Sequence, residues 1–241
     1  MSAKSAKCRG VRAREESPNT MSTGDALLSA CKGGELDLAR SLVSSGTSID
    51  FQNEYGQTPA YFCSSRGHAN ILRFLIDQWS DLNKAKKNGV TAVFISAHKN
   101  HHECLSLLLV NGADADIATI DGFTAVFISA QKNHHECLSL LLLNGADADK
   151  ATNDGATAVF ISAQKNHPKC LSLLLLKGAD ANKARNGGCT AVYVSAQNNH
   201  RECLSLLLRN GADADRANND GLTGVYISAQ NNQSRVSVCS S

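Results

Sequence analysis

The sequence predicts an all-α solenoid of stacked antiparallel helix pairs with hairpin-like fingers projecting between the pairs. Three observations carry this. A threonine recurs about every 33 residues, at Thr58, Thr91, Thr124, Thr157, Thr190 and Thr223. Two glycine series keep the same step, Gly56, Gly89, Gly122, Gly155, Gly188, Gly221 and Gly112, Gly145, Gly178, Gly211. Between these markers the units are nearly identical, and each holds two short apolar runs.

In the unit from Thr91 to Phe123, Thr91 precedes Ala92-Val93-Phe94-Ile95-Ser96-Ala97. Its hydroxyl can accept from an unpaired N–H and so start a first helix. Asn100 tolerates the left-handed conformation that ends it. Glu103 to Val110 form a second helix, with Glu103 near its positive end. The run Cys104-Leu105-Ser106-Leu107-Leu108-Leu109 is apolar on nearly every side, which predicts cover by neighbours all round. Helices this short do not persist alone in water, so stacking must supply the stability. In a central unit, Leu140 is expected in the core and Gln131 at the surface. Gly112 ends the second helix and Asp121-Gly122 signals a tight turn, so the stretch between them should project as a finger.

The run from Thr91 to Ala97, the pair Asn100-His101, Leu107-Leu108-Leu109 and Gly112-Ala113-Asp114 resemble the Thr-Pro-Leu-His, Gly-His, Leu-Leu and Gly-Ala-Asp signatures of the ankyrin repeat. The resemblance covers residues from about 25 to 232. It implies six complete repeats, the first with Asp25 in the threonine position, and a seventh cut short after its first helix. The family's proline survives only as Pro59, and its first-helix histidine is replaced by Tyr61, Phe94, Phe127, Phe160, Tyr193 and Tyr226. An aromatic ladder should replace the lost hydrogen bonds by packing. Trp79 falls where other repeats carry the helix-ending glycine, so the second helix there must end differently or adopt a strained backbone.

Three segments follow: a disordered basic tail over 1–23, the repeat array over 24–232, and a C-terminal tail or incomplete cap over 233–241. The net charge of +2 resides in the first segment, where Lys4, Lys7, Arg9, Arg12 and Arg14 outnumber Glu15 and Glu16. The near-neutral body argues against nucleic acid as the main ligand, since that mode needs a basic stripe. No stretch approaches the roughly 18 apolar residues of a membrane helix, so the chain is expected to be soluble. The tail has no apolar run of secretory type. Its Arg, Ser and Ala fit a mitochondrial presequence, but Glu15, Glu16 and the lack of large apolar residues weigh against one. Met21 offers an alternative start. An intracellular location, cytoplasmic or nuclear, is the expectation.

Cys104, Cys137, Cys170 and Cys203 each follow a histidine by three residues, namely His101, His134, His167 and His200. One repeat offers only two such ligands, and packed helices lie about 8–10 Å apart, too far for a shared zinc ion. The cysteines therefore read as small buried residues and the histidines as turn-fixing groups. The same spacing forbids disulfides along the ladder. His101-His102-Glu103 matches the His-x-Glu half of a zinc deaminase signature, but the Pro-Cys-x-x-Cys half is missing. No phosphate loop, His-Glu-x-x-His or nucleophile elbow occurs. No catalytic residue, metal or cofactor is implied.

Surface remains. The ankyrin resemblance implies a partner protein bound at the finger tips and the concave side of the first helices. The finger ladder is Val90, Phe123, Ala156, Cys189 and Leu222, with Ile120 beside Phe123. The inner ladder is His98-Lys99, Gln131-Lys132, Gln164-Lys165, Gln197-Asn198 and Gln230-Asn231. An apolar row beside a polar one fits an interface. Solvated loops with incidental apolar residues fit equally well. The fingers around Lys84, Lys86 and Lys87 read as solvated. The expected function is non-catalytic protein binding. The alternative is a self-associating solenoid stacked end to end, or a fragment of a larger repeat protein, because the last unit lacks a leucine-rich second helix.

Overall fold

The computed structural model describes residues 21–230. The basic tail therefore lies outside the described residues except for its last three, as do residues 231–241. Twelve helices make six consecutive pairs: α1 (Thr23–Gly33) with α2 (Leu36–Ser44), α3 (Pro59–Arg66) with α4 (Ala69–Asp77), α5 (Ala92–Lys99) with α6 (His102–Val110), α7 (Ala125–Lys132) with α8 (His135–Leu143), α9 (Ala158–Gln164) with α10 (Pro168–Leu176), and α11 (Ala191–Gln197) with α12 (Arg201–Arg209). A further helical stretch covers 224–230. Each helix packs on its pair-mate and on the same helix of the next pair. The odd-numbered, inner helices pack on one another more extensively than the outer ones, which bends the array toward them.

The periodic residues act locally as their chemistry requires. Thr91, Thr124, Thr157 and Thr190 each accept a bond from the backbone N–H three residues on, and so start the inner helices. Asn100, Asn133, Asn166 and Asn199 all lie at φ 57–60° after those helices. The first helix departs from the register. It begins at Thr23 because Ser22 caps it, accepting from the Asp25 N–H at 3.0 Å and donating to the Asp25 carboxylate at 2.7 Å. Asp25 thus sits inside the helix instead of capping it.

Between repeats, the finger tips form a bonded rail. The Lys87, Ile120, Asn153, Asn186 and Asn219 N–H groups donate to the carbonyls of Tyr55, Asn88, Asp121, Asp154 and Gly187, at 2.9–3.2 Å. A second rail follows the outer helices: carboxylate or amide oxygens of Asp50, Asn83, Asp116, Asp149 and Asn182 accept from backbone N–H groups of Asp81, Asp114, Asp147, Asp180 and Asp213.

The core is continuous. Phe94, Phe127, Phe160 and Tyr193 are buried on the inner helices, and Cys104, Leu105, Leu108 and their equivalents in α4, α8 and α10 on the outer ones. The outer helices are covered on fewer sides than their composition predicts. Leu107, Leu140 and Leu173 are only half-buried, and Val110, Leu143 and Leu176 face solvent. Each of the outer helices between α2 and α12 meets its pair-mate and two lateral neighbours, which leaves one stripe of an all-apolar sequence outside. Leu140 is therefore not a fully buried core residue, whereas Leu138 and Leu141 are.

Trp79 takes the strained alternative. It sits at φ 65°, where Gly46, Gly112, Gly145, Gly178 and Gly211 lie at 80–96°, and it is 92% exposed. A side chain in this region costs about 1–2 kcal/mol, part of which the greater chain entropy of glycine offsets. Trp79→Gly should accordingly stabilise the protein by about 1 kcal/mol in urea melts. A loss of stability would show that the indole packs on the fold.

Candidate protein-interaction surface

Along α5 the residues from Ala92 to Ala97 are buried, so only the last turn reaches the concave surface. The same holds for α7 and α9. That turn presents Lys99 and Lys132, and its equivalent Lys165 follows α9; all three are exposed, while His98, Gln131 and Gln164 beside them are half-buried. Arg66 occupies the same register at the end of α3 and is exposed too. Among the described residues none of these four cations forms an ion pair with a carboxylate. Their field is felt locally. The His98 imidazole is held below its ordinary pKa by burial and then by the charges of Lys132 and Lys99, so it stays neutral at neutral pH. A cleft of about 610 Å³ opens at the start of this column, lined by Lys32, Tyr61, Phe62, Arg66 and Lys99.

The fingers are less apolar outside than the residue pattern suggests. Val90, Phe123, Cys189 and Leu222 are half-buried, and Ala156 is buried. The residue after each turn glycine folds back under its finger toward the inner helix; Phe123 lies 5.2 Å from the Phe127 ring, centroid to centroid. Apolar exposure at the tips comes from Ile120, at 68%, and from Tyr55. Of the three finger lysines, Lys84 reaches the Asp50 carboxylate at 3.8 Å and Lys86 sits 5.2 Å over the Tyr61 ring, while Lys87 is exposed. Arg185 pairs with Asp154 at 2.6 Å. Asp154 is pulled below the usual carboxylate range, chiefly by the Thr152 hydroxyl and also by Arg185.

The histidine and cysteine ladders tie repeats together. Nδ1 of His134, His167 and His200 lies 2.9–3.0 Å from the carbonyls of Ala97, Ala130 and Ala163 in the preceding inner helix. The thiols of Cys137, Cys170 and Cys203 donate to Asn100, Asn133 and Asn166, the residues that end those helices. No group of three or more potential metal ligands clusters among the described residues. No helix there is long and apolar enough to cross a membrane.

The structure thus brings Lys99, Lys132 and Lys165 into one column and adds Arg66 and Tyr55, which sequence reasoning missed. Arg66 was detectable, since it keeps the repeat step with Lys99. Tyr55 was not, because its exposure depends on how the neighbouring finger packs.

The repeat geometry agrees with comparisons to known proteins. The model for ankyrin repeats in three copies matches residues 27–119, 99–185 and 172–238. The chain belongs to the ankyrin-repeat family, whose members generally act as protein-protein interaction modules. Among solved structures it is similar to the ankyrin repeat domain of Bcl-3, described as a unique member of the IkappaB protein family. That likeness has 25% sequence identity and a TM-score of 0.78, and it covers 84% of this chain and 92% of that one. No curated protein sequence matches the chain.

Proposed function

We propose that this chain is a non-catalytic adaptor that binds an acidic segment of a partner protein along its concave side and finger tips. The observation that carries this is the column of Arg66, Lys99, Lys132 and Lys165, exposed cations in one register with no carboxylate partner among the described residues. His98, Gln131 and Gln164 border it as hydrogen-bonding groups, and Ile120 supplies an apolar contact at a neighbouring finger. Val90, Phe123, Cys189 and Leu222 support the fingers from beneath and contribute contact through their exposed edges. Because the rails hold the repeats in place before binding, little ordering cost falls on association. Asp121, which meets no cation among the described residues, opposes a phosphate backbone at the finger tips. Buried reduced thiols fit an intracellular setting, cytoplasmic or nuclear.

Affinity capture followed by titration tests the reading. Lys99→Ala combined with Lys132→Ala should weaken binding of the captured partner and flatten its salt dependence, and Ile120→Asp should weaken it at unchanged stability. Phe123→Asp is a poor probe, because a carboxylate against Phe127 would also destabilise the finger. Unchanged affinity and salt slope in the double lysine variant would remove the concave column from the site.

A second reading, end-to-end self-association, draws on the last helical stretch. Val225 and Tyr226 are exposed there, whereas Val192 and Tyr193, one repeat earlier, are buried. Light scattering over a concentration range separates the two: a mass that rises with concentration supports stacking, and a constant monomer mass rules it out.

A further inference from the structure

The antiparallel pairing places the outer helices' C-termini at the end of each pair opposite the cationic column, and a different surface lies there. Val110 and Leu143, each the last residue of its helix, are 73% and 65% exposed, and Trp79 stands in the turn after α4. Beside Trp79 a cleft of about 540 Å³ runs to the next repeat, lined by Ile76, Asp77, Asp81, Leu82 and Asn111. A cleft of about 330 Å³ recurs further along the same edge, lined by Leu142, Asp147 and Asp149, with Lys177 at its C-terminal side.

Charge distinguishes this edge. Asp81, Asp114 and Asp147 are exposed and follow one another on the repeat step. Each uses one carboxylate oxygen to accept the N–H two residues on, and none meets a cation among the described residues. Lys84 and Lys150, in the same turns, are engaged with the Asp50 and Asp116 carbonyls instead. Lys177 and Arg209 bound the acidic stretch toward the C-terminal repeats.

We infer that the edge running from Trp79 through Val110 to Leu143 is a second docking surface, which takes a basic, extended segment of a partner protein. Trp79 and the two aliphatic residues bury its apolar side chains, and the aspartates pair with its lysines or arginines. Anionic membranes and nucleic acid are repelled by the same aspartates. Packed helices repeat at about 8–10 Å, and a segment in the extended polyproline II conformation has three residues per turn and advances about 3.1 Å per residue, which returns every third side chain to the same face about 9 Å further on. A segment carrying one cation and one apolar residue in every three therefore stays in step with the repeats. Retention of a tryptophan in left-handed backbone, where five other repeats use glycine, is the local cost of the anchor.

Trp79 is the only tryptophan of the chain, so its fluorescence reports on this edge alone. The full-length protein is titrated with a labelled synthetic peptide of four Lys-Leu-Gly units and with its Glu-Leu-Gly counterpart, following Trp79 emission and peptide anisotropy together. Expected results are a saturable blue shift with the lysine peptide, none with the glutamate peptide, and a several-fold loss of affinity on raising salt. Trp79→Gly, which restores the residue other repeats carry, should lower affinity about tenfold or more by anisotropy, even as it raises the unfolding midpoint. Those opposite signs separate an anchor from a merely structural residue. Binding without a Trp79 response, equal binding of the glutamate peptide, full affinity in Trp79→Gly, or no binding at all would each overturn the inference.

Discussion

Leu141→Ala should lower the stability of the array by about 2–5 kcal/mol, the range for emptying a fully buried leucine site. Leu141 has no solvent exposure and lies in the middle of the stack, where α8 packs on α7 and on the flanking outer helices α6 and α10. Collapse into the void is opposed from every one of those sides. Leu143→Ala, two residues along the same helix, should change stability by only about 0.5 kcal/mol or less, because that side chain is mostly in water. Urea melts of the two variants check the pair, and Leu140→Ala should fall between them. Equal losses at Leu141 and Leu143 would mean that the outer helix is rotated from the orientation described.

The contrast within α8 also shows where a sequence reading stops. Five of its last six residues are leucines, Leu138 and Leu140 to Leu143, with Ser139 between, so composition alone cannot rank them. Only the geometry of the stack decides which stripe is left outside. Positions tied to backbone conformation were legible, because their chemistry is local: the capping threonines, the left-handed asparagines after the inner helices, and the strain at Trp79. The site was legible in part. Lys99, Lys132 and Lys165 keep the repeat step and end a helix whose other turns are apolar, which leaves them nowhere to point but outward. Phe123 follows a turn glycine in a segment with no periodicity of its own. Whether it projects or folds back is set by the Phe127 ring, a contact between finger and helix that no spacing rule encodes. The acidic outer edge escaped notice for another reason. Asp114 and Asp147 belong to the Gly-Ala-Asp signature and Asp81 holds the same repeat position after Trp79-Ser80, so all three read as turn chemistry, and only the placement of Trp79, Val110 and Leu143 beside them gives them a second meaning.

Raising the pH should unfold the protein well before ordinary alkaline chemistry would. Burial, followed by the nearby Glu103, pushes the Cys104 thiol from its ordinary value of 9.0 up to about 11. Burial and then Glu136 push Cys137 up to about 12. Cys170 and Cys203 are likewise raised to about 11, and Cys63 is raised well above its ordinary value by its hydrogen bond with Cys31 and by burial. Each of these groups is neutral when protonated, and folding favours that form. Their contribution is therefore intact below pH 9 and is lost as pH climbs from there toward the folded-state values, because the unfolded chain releases protons that the folded chain retains. At pH 10 the loss is roughly 1–2 kcal/mol for each of the four ladder cysteines, and so several kcal/mol for all four. Urea midpoints measured at pH 7.5 and pH 10 should differ accordingly. Cys137→Ala gives the control: whatever its cavity costs at pH 7.5, that cost cancels in the difference, and the variant should lose about a quarter of the alkaline decline. A decline unchanged in Cys137→Ala would mean that other groups, not the buried thiol ladder, drive the alkaline unfolding.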